Sequence, residues 1–159
     1  MEVYEEDYRG LEEALRRLRR DSNAKAVFLI DKNGQQIAAA GDIENFDSTS
    51  LASLTAGNVA ATDGLAKLIG EREFSVLFHE GQRDHIHISI VARRAILLVI
   101  FDERSSLGLV RLRVKRASAE LEKVFDTMTE KSTLSSEGAA EPSPFSEITD
   151  EDIDALFSE

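Results

Sequence analysis

The sequence predicts an α+β fold of three long helices and five strands, in the order α-β-β-α-β-β-β-α, with a short helix tethered behind them. Three observations carry this prediction. Two apolar runs, Ala26 to Ile30 and Gln36 to Ala40, flank Asp31, Lys32, Asn33 and Gly34, and an Asn-Gly turn between apolar runs is the strongest short-range hairpin pattern. Three further runs, Glu73 to His79, His85 to Val91 and Ala95 to Phe101, are separated only by Gly81 to Asp84 and by Ala92 to Arg94. Connections that short join antiparallel strands, because a parallel crossover needs about a dozen residues or more. Finally, apolar residues recur at spacings of three and four in Tyr4 to Ser22, Ser48 to Gly70 and Leu107 to Lys131, the period of a helix with a buried face.

The first helix buries Leu11, Leu15 and Leu18 and gathers Arg16, Arg17, Arg19 and Arg20 in its last turns, where cations meet the negative end of the helix. Glu5, Glu6, Glu12 and Glu13 stand at spacings that allow ion pairs with those arginines along a solvated face. Asn23 breaks the helix, the hairpin follows, and Gly41 to Asp47 connects to the next helix, with Asp47 or Ser48 as its cap.

That second helix, Ser48 to Gly70, is apolar on two faces of different character. Leu51, Leu54, Asn58, Ala61, Leu65 and Leu68 form a leucine stripe, which is expected to face the core. Rotated away from it lie Ala52, Ala56, Val59, Ala60, Asp63, Gly64 and Lys67, a strip almost without large side chains. Gly57 and Gly64 each cost about 1 kcal/mol relative to Ala inside a helix. Their presence signals a contact requirement, met either by tight packing within the domain or by the close approach of a second chain.

Of the later strands, Ala95 to Phe101 reads AILLVIF and is apolar on both faces, as a central strand with helices covering it would be. His85 and His87, at i and i+2, share one strand face. A metal site there lacks a third ligand at matching spacing, so a half-exposed strand is the expected reading and no metal or other cofactor is assigned. The last long helix buries Val110, Val114, Ala117, Leu121, Val124 and Met128, and turns Arg116, Glu120 and Lys123 outward.

From Ser132 the periodicity fades, and the only two prolines, Pro142 and Pro144, follow. Residues 132–147 are therefore expected to be a flexible linker behind a domain spanning residues 1–131. Residues 148–159 regain helical order in the sequence. Thr149 can cap a helix whose first turn holds Asp150, Glu151 and Asp152, Ile148 and Ile153 form a hydrophobic staple, and Ile153, Leu156 and Phe157 share a face. Such a segment suits a partner, or its own domain, better than solvent.

Composition sets bounds on function. At 159 residues and 42% hydrophobic the chain builds one ordinary core. It contains no cysteine, which removes disulfides and thiolate zinc sites. The amino terminus lacks the basic and apolar regions of a secretory signal, and the longest apolar run is too short to span a bilayer. A cytoplasmic protein with no direct membrane insertion is the expectation. The net charge is -11, of which Ser135 to Glu159 supplies eight carboxylates and no Lys or Arg. So acidic a chain repels phosphate backbones, and nucleic acid is not an expected partner.

Catalysis finds little support. No Gly-rich phosphate loop follows a strand, and no Ser, His and acid cluster has a recognisable context, so a binding module or regulator is the expected class. The stretches VFLIDKNGQ, SLASLTAGNVAATDGLAKLIGE, FHEG, VIFDERSSLGLVRLRVKRAS and SPFSEITDEDIDALFSE resemble the bacterial regulators of Ras-like small GTPases within the roadblock/LC7 family. The resemblance implies a five-stranded antiparallel sheet and a homodimer whose third strands and second helices pair. It further implies one Ras-like GTPase seated per dimer, and stimulation of GTP hydrolysis without an arginine finger. The partner-binding residues it points to are Ala56, Ala60, Asp63 and Gly64 on the second helix, Arg116, Glu120 and Lys123 on the last, and Ile148, Ile153, Leu156 and Phe157 in the tail. The implied setting is cell polarity and motility, with enrichment at a cell pole and a tail that contacts the GTPase away from its nucleotide. Two other classes stay open: a roadblock scaffold without effect on hydrolysis, and a metal-dependent enzyme at His85 and His87.

Overall fold

The structure, a computed structural model, describes residues 5–137. The tail residues Ile148, Ile153, Leu156 and Phe157 lie outside the described residues. The elements are α1 (Glu5–Ser22), β1 (Ala26–Asp31), β2 (Gln36–Gly41), one turn of 3-10 helix (Ile43–Asn45), α2 (Ser48–Leu68), β3 (Val76–His79), β4 (His85–Val91), β5 (Ala95–Phe101) and α3 (Leu107–Glu137). The element order is the one expected. β3 starts later than Glu73, the 3-10 turn was not anticipated, and α3 runs on past Lys131.

The five strands form one sheet in the order β2-β1-β5-β4-β3, with every neighbouring pair antiparallel. The β1–β2 turn closes as its sequence dictates. The Asp31 carboxylate accepts from the amides of Asn33 and Gln35, both at 2.9 Å, the Gly34 amide donates to the Asp31 carbonyl, and Gly34 takes φ +88°, where a side chain would be strained. β5 lies at the centre, buried along its whole length.

Alternation along the strands builds two cores, one on each face of the sheet. Leu97, Val99 and Phe101 of β5 point with Val27 and Leu29 toward α1 and α3, where Leu11, Leu15, Leu18, Val110, Leu121 and Phe125 meet them. Ile96, Leu98 and Ile100 point the other way with Phe28 and Ile30, toward α2. The sheet thus separates α2 from the α1/α3 pair.

On the α2 side the expected orientation is reversed. Ala52, Thr55, Ala56, Val59 and Ala66 are the buried residues of α2, while Leu54, Leu65 and Leu68 are 73%, 59% and 83% exposed. The reason is the bulk below. The sheet already presents Phe28, Ile30, Ile96, Leu98 and Ile100, so a helix laid over them packs closely only by turning small residues inward. The leucine stripe is therefore no part of the subunit core, apart from the half-buried Leu51.

Candidate pairing and partner-binding surface

α2 is held firmly at both ends. The Asp47 carboxylate caps it, accepting from the Ser50 hydroxyl at 2.7 Å and the Ser50 amide at 3.1 Å. Those two bonds hold its carboxyl below the ordinary carboxylate range. At the other end Gly70, at φ +82°, turns the chain so that the Glu71 amide closes on the Ala66 carbonyl at 2.8 Å.

The rotation of α2 about its axis follows from one contact. A Cβ on Gly34, in the β1–β2 turn, would stand 3.2 Å from Ser53 Cα and 3.6 Å from Ala56 Cβ. The Ser53 and Ala56 flank therefore abuts the β2 end of the sheet. The opposite flank, where Leu51 and Leu65 lie, looks across toward β4 and β3, and half-buried Leu51 shares its cluster with Leu77, Ile86 and Ile90.

Beyond that flank the sheet ends on an open edge. The Ile90 amide donates to the Ser75 carbonyl at 3.1 Å, so Ser75, Leu77 and His79 direct their backbone groups to β4. Val76 and Phe78, one residue out of step, direct theirs away from the sheet. Val76 is 46% exposed and Phe74 37%. Val76, in step with Phe78, turns its side chain to the α1/α3 face, so what β3 offers at this edge is mainly its open backbone.

Away from the sheet, α2 presents Gly57, Ala60 and Gly64, all exposed. A Cβ placed on Gly57 or Gly64 would meet nothing within 4 Å among the described residues. Packing within the subunit therefore does not explain either glycine. Asp63 is half-buried on the same helix. Ala56 belongs elsewhere: it is buried in the core under α2, and is no part of the exposed contact strip in which its sequence position had placed it.

Arg116, Glu120 and Lys123 sit on α3, across the sheet from this surface, and do not join it. Glu120 pairs with Arg17 of α1 at 2.7 Å. The two strand histidines are not a matched pair either. His85 accepts from the Gly81 amide at 3.2 Å and rests against Phe101, ring centroids 5.2 Å apart. His87 is almost wholly buried, and its Nδ1 has no hydrogen-bond partner among the described residues. Burial, reinforced by the Arg111 charge, pushes its pKa below the ordinary value of 6.5. Among the described residues no three His, Asp or Glu side chains converge as a metal site would require, and no helix is long and apolar enough to cross a membrane.

The exposed leucines escaped sequence reasoning because helical periodicity is the same for a stripe turned into the core and one turned outward. The chemistry of the helix did carry a signal, since an apolar surface runs most of the way round it.

Comparison with known proteins agrees with this architecture. Residues 10–101 match the Roadblock/LC7 domain. The chain belongs to the roadblock/LC7 family. Among solved structures it is similar to Myxococcus xanthus MglB, at 58% identity, TM-score 0.76, covering 80% of this chain and 96% of that one. It is also similar to the gliding protein MglB of Thermus thermophilus, at 35% identity and TM-score 0.73, covering 77% and 93%. An MglB described as having a tetrameric arrangement matches at 34% identity and TM-score 0.72, covering 77% and 92%. No curated protein sequence matches. The roadblock/LC7 fold is that of a regulator and not of a catalytic family, and the expected three-helix, five-stranded antiparallel architecture is the one observed.

Proposed function

We propose that this chain forms a homodimer through α2 and β3, and that the dimer is a GTPase-activating protein for a Ras-like small GTPase of the MglA kind, binding one GTPase per dimer. The observation that carries the reading is the division of the exposed α2 surface into two arcs. By helical spacing the exposed Leu54 and Leu65 lie on the side of α2 that carries Leu51, Ala60 and Gly64 lie on the side that carries Ser53, and Leu68 and Gly57 lie between them, facing away from the sheet. Pairing two copies about a two-fold axis covers the leucines and satisfies the outward amides of Val76 and Phe78, which otherwise template aggregation. The small-residue arcs of two neighbouring helices then form a platform on which another backbone can come close.

The similarity to MglB at 58% identity supports a role in bacterial polarity and gliding motility, in the cytoplasm and enriched at a pole. By the resemblance to MglB, the platform positions the GTPase's own groups and inserts no arginine finger. The expected boundaries place the domain in residues 1–131 and, behind a linker, a helix in residues 148–159 that strengthens the complex from a second side. The test is single-turnover GTP hydrolysis by the cognate GTPase, with and without saturating dimer. Acceleration is expected. Binding without acceleration favours a roadblock scaffold.

A further inference from the structure

We propose that, in the absence of a GTPase, the acidic carboxyl-terminal segment Ile148 to Glu159 docks on the outer stripe of its own α3, between Lys123 and Leu112. The inference goes beyond the GTPase reading and does not rest on it. Leu112, Arg116 and Lys123 follow one another at spacings of four and seven residues, so they line one face of α3. All three are exposed, Leu112 at 61%. The sheet stands between them and α2. Neither Arg116 nor Lys123 forms an ion pair among the described residues, and buried Nε of the neighbouring Arg113 has no hydrogen-bond partner among them.

The stripe matches the segment in charge. Between Arg111 and Lys123, α3 carries five cations against two carboxylates, whereas from Asp126 to Glu137 it carries three carboxylates against one cation. The tail from Ser135 onward holds eight carboxylates and no cation, so electrostatics steer it past the acidic end of α3 to the basic half.

Reach selects the same place. Lys123 lies 14 residues before Glu137, the last described residue, which is about 21 Å along a helix. Residues 138–148 form a connector of 11 residues, whose average span is about 17–20 Å if flexible. A tether whose average span matches the gap gives the highest effective concentration. A helix starting beside Lys123 and running back along α3 sets Asp150 and Asp152 against Lys123 and Arg116, and brings Leu156 and Phe157 to Leu112.

The absence of cysteine makes the experiment direct. Full-length chain carrying Ser158→Cys is labelled with a nitroxide, and its amide NMR intensities are compared with the reduced label. The expected result is loss of signal concentrated on Leu112 to Lys123, relieved at about 1 M salt, where the screening length falls to about 3 Å. Arg116→Glu with Lys123→Glu abolishes the localised loss, and adding Asp150→Lys with Asp152→Lys restores it. The tail-only variant Asp150→Lys with Asp152→Lys also abolishes it, and keeps the test readable if the α3 variant misfolds. Signal loss that is even over the surface, that falls on α2, or that survives charge reversal overturns the proposal.

Discussion

The two faces of the central sheet are covered in opposite ways. Under α1 and α3 the helices supply bulk: Leu11, Leu15, Leu121 and Phe125 are fully buried against Leu97, Val99 and Phe101. Under α2 the sheet supplies the bulk, and the helix answers with Ala52, Ala56 and Val59 while its leucines face out. The first face is complete within one chain. The second leaves Leu54, Leu65 and Leu68 exposed, the surface that the proposed dimer would cover. A stripe of leucines thus identifies an apolar surface, and the bulk of the layer beneath decides whether it can turn into the subunit core.

The sharpest way to break this contrast is to charge the outward leucines. Fully burying a leucine contributes about 1.5–3 kcal/mol, so Leu65→Asp with Leu68→Asp in both subunits removes up to about 6–12 kcal/mol from association, before the cost of stranding carboxylates at a contact. Light scattering should report about twice the 17.6 kDa chain mass for the wild type and a single chain for the variant, with an unchanged circular dichroism spectrum. A wild type that is monomeric at micromolar concentration removes the pairing surface from consideration.

Phe125→Ala tests the other face. It empties a fully buried site between α3 and the sheet and should cost about 3–5 kcal/mol of stability. Denaturant melts should show the loss directly. The discriminating feature is that this loss comes from the subunit core, whereas the leucine variant acts on association and makes the melt depend on protein concentration.

A smaller, pH-dependent effect belongs to His87, on the α1/α3 face. Its folded-state pKa is depressed by burial and by Arg111, so below its ordinary value of 6.5 the unfolded chain binds more protons than the folded one. Stability from this group is present above that pH and is lost as pH falls through it. The expected measurement is a fall in the unfolding midpoint between neutral and mildly acidic pH that His87→Leu reduces. An unchanged slope in the variant means that other groups dominate acid sensitivity.

Much of the fold was legible because local chemistry and tertiary packing agree. The Asp31 to Gly34 turn, the Asp47 cap, the doubly apolar β5 and the buried stripes of α1 and α3 each follow from patterns a few residues long. The orientation of α2 was not, since helix periodicity records that Leu54, Leu65 and Leu68 share a side without recording what lies opposite. The burial of Ala56 escaped for the same reason: its neighbours are Gly34 and a sheet assembled from distant segments. Leu112 is single and exposed, and no periodic pattern singles it out.

The smallest effect sharpens the comparison most, because it separates stability from recognition at one atom. Gly64 lies in mid-helix, and its added Cβ would meet nothing among the described residues. Gly64→Ala should therefore raise the helix propensity by about 1 kcal/mol, with no opposing clash inside the subunit. Stability to denaturant should increase by about that amount. If Gly64 is kept for the close approach of a GTPase, the same methyl group should weaken that complex, seen as a larger dissociation constant in titration calorimetry with the GTPase. Gly34→Ala is the control on the inward side: its Cβ would press on Ser53 at 3.2 Å in a left-handed backbone, so it should lower stability. A Gly64→Ala protein that is more stable and binds the GTPase as tightly as before places the platform elsewhere on the dimer. One that is no more stable shows that a contact within the dimer already occupies the space.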